Sequence, residues 1–280
     1  MRVLTTLLGL VAVILNTAVA TTYQEAIDHA RDFSGLPAST NLLTLSHGGL
    51  ITTNVGSEIY LKTVSLMTES TWLSFYQPYE WWAAARSNSV GYESWVSFEP
   101  ELKDYILARS NELATTSLAD VTMRAEEALG ISNAATHLFA VTLWVSAESL
   151  FRPAINWSLT NAATYRDWSG HDANGPDWFS TAYGYSYIDW FTNRQATIYS
   201  GSGAFPWTGL GYTFDWFYAT NSPSLVGVSE FVIGAQRTYY VDEGMLVDEY
   251  FGFAIPEPGV YITLLFGMVC VLKGRRRQRE

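Results

Sequence analysis

Apolar residues recur at helical spacing in three segments of this chain. In residues 22–33 they lie on one face of a predicted helix, and Thr22 stands where an N-cap is expected. A second helix is predicted over residues 100–114, where a proline and acidic residues occupy the first turn. A third is predicted over residues 118–129, because Gly130 suits the end of a helix.

Other segments alternate apolar and polar residues or are continuously apolar, which is typical of strands. Partial alternation predicts short strands at residues 59–64 and 72–75. The apolar run at residues 138–145 predicts a buried strand. Residues 226–233 and 237–241 predict two more strands.

Between these segments the chain is rich in aromatic residues, Gly, Asn and Ser. Residues 177–194 favour a helix, and residues 201–211 form a predicted loop. The mixture predicts an α+β fold, in which an antiparallel sheet packs against two or three helices. No linker forces a domain boundary, although residues 156–176 are the best candidate for one. We therefore expect a single α+β domain over residues 21–254.

The first 20 residues have the pattern of a secretory signal peptide. Arg2 supplies a basic start, residues 3–15 are almost entirely apolar, and residues 18–20 read Ala-Val-Ala, the small-x-small form that signal peptidase cleaves. The mature chain is therefore expected to begin at Thr21. The alternative is an uncleaved N-terminal anchor.

The last residues combine a rigid kink, an apolar segment and a basic end. Two prolines flank Glu257, and 13 apolar-dominated residues follow at 260–272. That run is shorter than the roughly 17–25 residues of a typical membrane helix, but flanking Lys and Arg side chains extend it by snorkelling. We predict a short transmembrane helix at about residues 259–273, with the basic residues 273–279 on the cytoplasmic side. A C-terminal core helix is the alternative reading.

The proline motif, the apolar segment and the basic end follow one another in the last 26 residues, and together they resemble the PEP-CTERM sorting signal. The residues that carry the resemblance are Pro256, Glu257, Pro258, Arg275, Arg276 and Arg277. It implies recognition by the membrane enzyme exosortase, cleavage near the proline motif, and a Gram-negative bacterium that exports polysaccharide. The resemblance covers residues 255–280 and implies nothing about the domain before them.

Charge and cysteine content limit the chemistry of the exported domain. The chain has 16 basic and 27 acidic residues, of which six basic and two acidic residues lie in the two ends. Residues 21–254 therefore hold 10 basic and 25 acidic residues, a net charge of −15. Such a domain repels nucleic acid and anionic lipid. The only cysteine, Cys270, lies in the tail, so the domain has no disulfide and no thiol nucleophile.

No motif indicates catalysis, a cofactor or a metal site. The four histidines lack the spacing that places two ligands on one metal, and Gly201-Ser202-Gly203 is not a nucleophile elbow. One acidic loop has the composition of a calcium site without its regular pattern, so a solvated loop is the alternative. That loop contains Asp167, His171, Asp172 and Asp177.

Tryptophan is abundant, with 11 residues between positions 72 and 216. Aromatic rings beside carboxylates and amides are typical of sugar-binding surfaces, because a ring stacks on a pyranose while polar groups bind its hydroxyls. The first candidates are Trp207, Tyr212, Asp215 and Trp216. The alternative is that the tryptophans fill the core.

These observations predict a non-enzymatic, polysaccharide-associated protein of the cell surface or extracellular matrix. Its expected partners are signal peptidase, exosortase, the inner membrane through the C-terminal helix, and polysaccharide, but not nucleic acid. It would be an inner-membrane-anchored precursor before release. The alternative is an extracytoplasmic hydrolase acting on polysaccharide or peptide, which two carboxylates about 5–10 Å apart in an aromatic cleft would favour.

Overall fold

A computed structural model describes residues 22–81, 84–89, 91–132, 134–218 and 225–253. In this part of the chain the α-helices are α1 Tyr23–Arg31, α2 Glu69–Thr71, α3 Glu101–Leu107, α4 Leu118–Ala128, α5 Phe179–Tyr183, α6 Tyr187–Thr197 and α7 Val247–Phe251. The strands are β1 Thr52–Val55, β2 Glu58–Met67, β3 Ala85–Ser87, β4 Ser94–Phe98, β5 Phe139–Ser146, β6 Leu150–Phe151, β7 Tyr212–Phe214, β8 Val226–Ser229, β9 Phe231–Ile233 and β10 Thr238–Leu246. The α+β class is confirmed, while the expected two or three helices are too few.

Eight of the described strands form one antiparallel sheet. Their order is β3-β10-β5-β2-β4-β9-β6, with β1 added beside β2. The central strand β5 pairs with β2 over eight residues and with β10 on its other side. Its side chains are buried almost throughout, as a central strand requires, which confirms the strand predicted there. Strands β7 and β8 form a separate antiparallel pair.

Local sequence signals account for several helix ends. Thr22 and Glu25 form a reciprocal capping box at the start of α1, which confirms the predicted N-cap. Ser117 accepts a hydrogen bond from Asp120 N at the start of α4. After α4, Gly130 has a φ of +72°, a conformation that favours glycine, so the predicted end of this helix is confirmed.

Several predicted elements differ from the structure. The strand expected at residues 72–75 is a π-helical turn, Trp72–Tyr76, which continues from α2. The turn buries the Trp72 ring, which stacks on Phe139 at 5.9 Å and occupies the space above Gly244 in β10. Burial of one large ring therefore overrides the local strand pattern. The second predicted helix also ends early, at Leu107.

The core consists of apolar clusters on different parts of the sheet. Helices α3, α4 and α7 cover one part of β2 and β5. A larger aromatic cluster joins α1, α5 and α6 to β7 and to the loops around them. Most of the described tryptophans contribute to these clusters, as the core-packing alternative expected.

Within the described ranges, no helix combines the length and apolar character needed to cross a membrane. The predicted signal peptide, residues 1–20, lies outside the described residues. The predicted tail, residues 255–280 with its proline motif and arginines, lies outside them as well.

Candidate functional site

The four residues predicted to bind a ligand lie in the interior of the domain. The exposed fractions of Trp207, Tyr212, Asp215 and Trp216 are 1%, 0%, 0% and 3%. None of them presents a ring face or a carboxylate to solvent, as stacking on a polysaccharide requires. The sugar-binding surface expected at these positions is therefore corrected to core packing, because partners far along the chain enclose them.

Asp215 belongs to a buried ion-pair network. Arg124 Nη1 and Nη2 donate to its two carboxylate oxygens at 3.2 and 2.7 Å, and the Tyr105 hydroxyl donates to it at 2.6 Å. The backbone N–H of Phe217 supplies another hydrogen bond, and Arg124 Nε also donates to Glu112 at 2.8 Å. The carboxylate is thus satisfied by the protein itself, and its role is structural.

Two of the three aromatic candidates are held by their polar ends, and the third is held by its ring. The Tyr212 hydroxyl donates to the Pro37 carbonyl at 2.7 Å, and the Trp216 indole N–H donates to the Ile131 carbonyl at 3.1 Å. Trp207 lies among three other aromatic rings, those of Trp95, Trp190 and Phe191.

The acidic loop considered for calcium does not assemble a site. No three His, Cys, Asp or Glu residues in the described part of the chain are placed to hold a metal ion. Asp167 and Asp172 each accept a hydrogen bond at 2.9 Å from the backbone N–H two residues further on, which makes them turn residues. The ring of His171 packs on Tyr165 at 4.1 Å.

A cavity of about 540 Å³ opens beside the aromatic core, and we call it the Glu230 cavity. Its walls come from residues 64–66 of β2, residues 95–97 of β4 and the loop 202–205. The segment after α4, together with Tyr23 of α1, closes another side. Its volume is typical of a site for a small ligand.

Glu230 lies at the break between β8 and β9, where the predicted strand over residues 226–233 divides in two. Its backbone N–H donates to the Gly211 carbonyl at 3.0 Å, so the chain leaves one strand pair and enters the main sheet at this residue. The side chain is buried and lines the cavity. Its Oε2 has no hydrogen-bond partner among the described residues.

Burial raises the pKa of Glu230 to about 8. The Trp207 indole and the positive charges of Arg194 and Arg152 oppose this shift in part. The indole N–H itself completes no hydrogen bond within the described ranges. At neutral pH the Glu230 carboxyl is therefore mainly protonated, so it offers both a donor and an acceptor to a ligand.

Arg152 is buried near Glu230, but its guanidinium is directed to backbone carbonyls. Its Nη1 donates to the Gly211 carbonyl at 3.1 Å and its Nη2 to the Leu43 carbonyl at 2.5 Å. The guanidinium also lies 4.7 Å from the centre of the Phe231 ring. Desolvation lowers its pKa to about 10, against the attraction of nearby carboxylates. Arg152 thus fixes the backbone at Gly211, whose carbonyl also accepts the backbone N–H of Glu230.

A histidine and a carboxylate meet at another wall of the cavity. His137 Nδ1 lies 2.8 Å from Glu126 Oε1, and the His137 side chain is 29% exposed. Glu126 is fully buried at the end of α4 and also accepts backbone N–H groups from residues 135–137. Glu126 therefore fixes the imidazole and the loop that carries it, leaving the second ring nitrogen for other contacts.

The remaining walls are aliphatic, aromatic or carry uncharged hydroxyl groups. Tyr23 is anchored by its hydroxyl, which donates to the Ala204 carbonyl at 3.2 Å, and by its ring, 5.4 Å from that of Trp216. The other wall residues with rings or hydroxyls are Ser65, Trp95, Ser97, Ser132, Ser202, Phe205 and Thr213. The cavity therefore suits an uncharged ligand with apolar faces and hydroxyl groups.

Sequence reasoning missed Glu230 and used His137 only in a search for metal spacing. The available signal was a single acidic residue inside the apolar segment 226–233. An acid in the middle of a predicted buried strand is rare unless it is paired or functional. No protein-family model, curated protein or solved structure matches the chain.

Proposed function

We propose that this protein is exported to the cell surface or extracellular matrix and that its folded domain binds an uncharged saccharide unit in the Glu230 cavity. The observation that carries the binding proposal is a cavity of ligand size that the buried side chain of Glu230 lines, with its Oε2 left without a hydrogen-bond partner among the described residues. A buried polar group without a partner destabilises the fold. A rotation of the Glu230 carboxyl toward the cavity would let a ligand hydroxyl supply the missing partner.

The chemistry of the walls supports a saccharide over other small ligands. Rings such as those of Trp95 and Tyr23 suit the apolar face of a pyranose, and the wall hydroxyls suit its polar edge. The net charge of −15 on residues 21–254 disfavours anionic ligands. A protonated Glu230 adds no charge at neutral pH.

Binding is tested by calorimetric titration of the full-length protein, purified in mild detergent, with glucose and N-acetylglucosamine and with their oligomers. Glu230→Leu should abolish binding because it removes both the donor and the acceptor, whereas Glu230→Gln should retain part of it. Glu69→Leu, at an exposed acidic position, is the matched control and should bind normally. Equal binding by Glu230→Leu would refute the role of the cavity.

Export is proposed from the two ends of the sequence. The signal-peptide pattern at residues 1–20 and the PEP-CTERM-like motif with its basic end support it. Signal peptidase would release the N-terminus, and exosortase would process the tail near Pro256. Deletion of residues 255–280 should shift the protein from the membrane and cell-surface fractions to the soluble exported fraction. Unchanged fractionation would refute the sorting role.

A second candidate function, hydrolysis, is favoured by the His137–Glu126 pair. Water would attack the scissile carbon while His137 accepts its proton, and Glu230 would give a proton to the leaving oxygen. No second carboxylate lines the cavity among the described residues, and none of their serine hydroxyls is hydrogen-bonded to His137. Release of reducing ends that is lost in His137→Gln would support hydrolysis over binding alone.

A further inference from the structure

A second cavity, of about 310 Å³, lies next to the Glu230 cavity. We call it the Glu93 cavity. Its walls include residues of α6, the Tyr183 and Tyr185 rings, and the loop that ends at Gly203. Gly203 lines both cavities, so the two are immediate neighbours.

At the Glu93 cavity the negative charge of Glu93 is balanced by the positive charge of Arg194. Glu93 accepts a hydrogen bond from Trp190 Nε1 at 2.6 Å and from Arg194 Nη2 at 2.7 Å. Its carboxylate is 7% exposed, while the Arg194 side chain is 25% exposed. Like the Glu230 cavity, this one therefore offers hydrogen-bonding groups with little net charge.

Arg194 connects the two cavities physically. Its guanidinium lies 5.4 Å from the centre of the Trp95 ring, a wall of the Glu230 cavity. It also lies 5.1 Å from the centre of the Trp190 ring, a wall of the Glu93 cavity. Arg194 is moreover one of the charges that act on Glu230. One side chain thus borders both spaces.

The boundary at Gly203 is open. A Cβ atom built on Gly203 meets no atom within 4 Å, and the glycine is solvent-exposed. Beyond it, Tyr185 is 43% exposed and presents an aromatic ring at the rim of the Glu93 cavity. The Asn193 amide lines the same cavity, so a ring and a polar group occur together here as in the first cavity.

We infer that the two cavities are adjacent subsites of one groove, and that its ligand is an uncharged oligosaccharide chain that crosses Gly203. This inference rests on the proposed saccharide binding and extends it from a single sugar to a chain. One sugar unit occupies the Glu230 cavity, and a neighbouring unit contacts Tyr185, Asn193 and Arg194. The protein would therefore recognise the interior or end of a neutral polysaccharide.

The inference is tested by comparing short and long probes on the full-length protein. The pairs are glucose with cellohexaose, and N-acetylglucosamine with chitohexaose. The hexamer of the recognised sugar should bind roughly tenfold more tightly than its monomer, equivalent to about 1.4 kcal/mol. Gly203→Trp places a large ring at the open boundary and should weaken hexamer binding more than monomer binding, so that the hexamer advantage shrinks.

Gly48→Trp is the matched control. Gly48 is also exposed, and a Cβ built there meets no atom within 4 Å. It lines neither cavity and should leave the hexamer advantage intact. Tyr185→Ala is the second variant, which removes an exposed ring without adding bulk, and it should reduce the hexamer advantage several-fold.

The outcomes separate this inference from the proposal beneath it. If Glu230→Leu abolishes binding but Gly203→Trp and Tyr185→Ala leave the hexamer advantage unchanged, the single-sugar proposal stands and the groove is refuted. An equal loss for monomer and hexamer in Gly203→Trp also refutes the groove, because the effect then belongs to the Glu230 cavity alone. Absence of binding by every probe refutes both.

Discussion

Two buried acids of this domain have opposite surroundings. Asp215 accepts two hydrogen bonds from Arg124, one from Tyr105 and one from a backbone N–H. Glu230 is also buried, but its Oε2 has no partner in the described part of the chain and its side chain faces a cavity. The comparison teaches that burial alone does not separate a structural acid from a functional one. What separates the two kinds of acid is the number of hydrogen-bond partners that the protein itself supplies.

The two acids also differ in what they do to the fold. A paired, fully satisfied carboxylate fixes the elements that supply its partners, here α3, α4 and the segment after β7. An unpaired carboxyl in an apolar setting instead keeps its proton, since ionisation without a partner is unfavourable. The first arrangement is complete without a ligand, and the second is not.

The largest expected effect comes from breaking the satisfied acid. Asp215→Ala leaves Arg124 buried with only Glu112 as a charged partner, so the free energy of unfolding should fall by about 3–5 kcal/mol. Urea denaturation of the full-length protein measures it. Glu69→Ala, at an exposed site, is the control and should change stability little. A loss below 1 kcal/mol in Asp215→Ala would mean that the network is not structural.

The next effect concerns the pH dependence of stability. The unfolded chain releases the Glu230 proton near the ordinary glutamate pKa of 4.5, while the folded chain holds it up to about pH 8. The folded state therefore binds more protons between these values, and the free energy of unfolding should fall across this window as pH rises. The total loss of unfolding free energy is on the order of a few kcal/mol, and none of it has occurred below the window.

Glu230→Gln, which stays neutral, should flatten this pH dependence. Burial also raises the pKa of Glu99 and Glu101, so a smaller slope of the same sign should remain in the variant. Chemical denaturation at a series of pH values compares the two proteins. Parallel curves for the wild-type protein and Glu230→Gln would show that Glu230 ionises in the folded state as it does in water.

The smallest effect concerns Glu126, which is fully hydrogen-bonded, as Asp215 is, but lies next to the cavity that Glu230 lines. Glu126 is satisfied by three backbone N–H groups and by His137, and that histidine borders the cavity. Glu126→Gln keeps the shape but replaces an oxygen acceptor by a donor, so the free energy of unfolding should fall by about 1–3 kcal/mol. Loss of stability together with intact saccharide binding would place Glu126 with Asp215 as a structural acid.

Much of the secondary structure follows from local signals. The cap of α1, the end of α4 at Gly130 and the buried strand β5 are all encoded within a few residues, so the sequence predicts them. The π-helical turn at Trp72–Tyr76 is not encoded locally, because it depends on a slot above Gly244 in a distant strand.

The candidate site was less predictable for the same reason. Asp215 and its neighbouring tryptophan resemble a sugar-binding pair in sequence, but Arg124, 91 positions away, converts the acid into a structural one. Glu230 and Trp95 meet at one cavity only because β4 pairs with β9. The abundance of aromatic residues suggests that some rings bind a ligand. Which rings border a cavity depends on the topology of the sheet, which composition does not show.

The most direct test of the central claim is the titration of Glu230 itself. Carbon-13 NMR of the side-chain carboxyl, assigned with Glu230→Gln, should give a pKa near 8 in the free protein. The same resonance should shift when the hexamer that binds best in calorimetry is added. A pKa near 4.5, or a resonance that the bound hexamer leaves unchanged, would contradict the account.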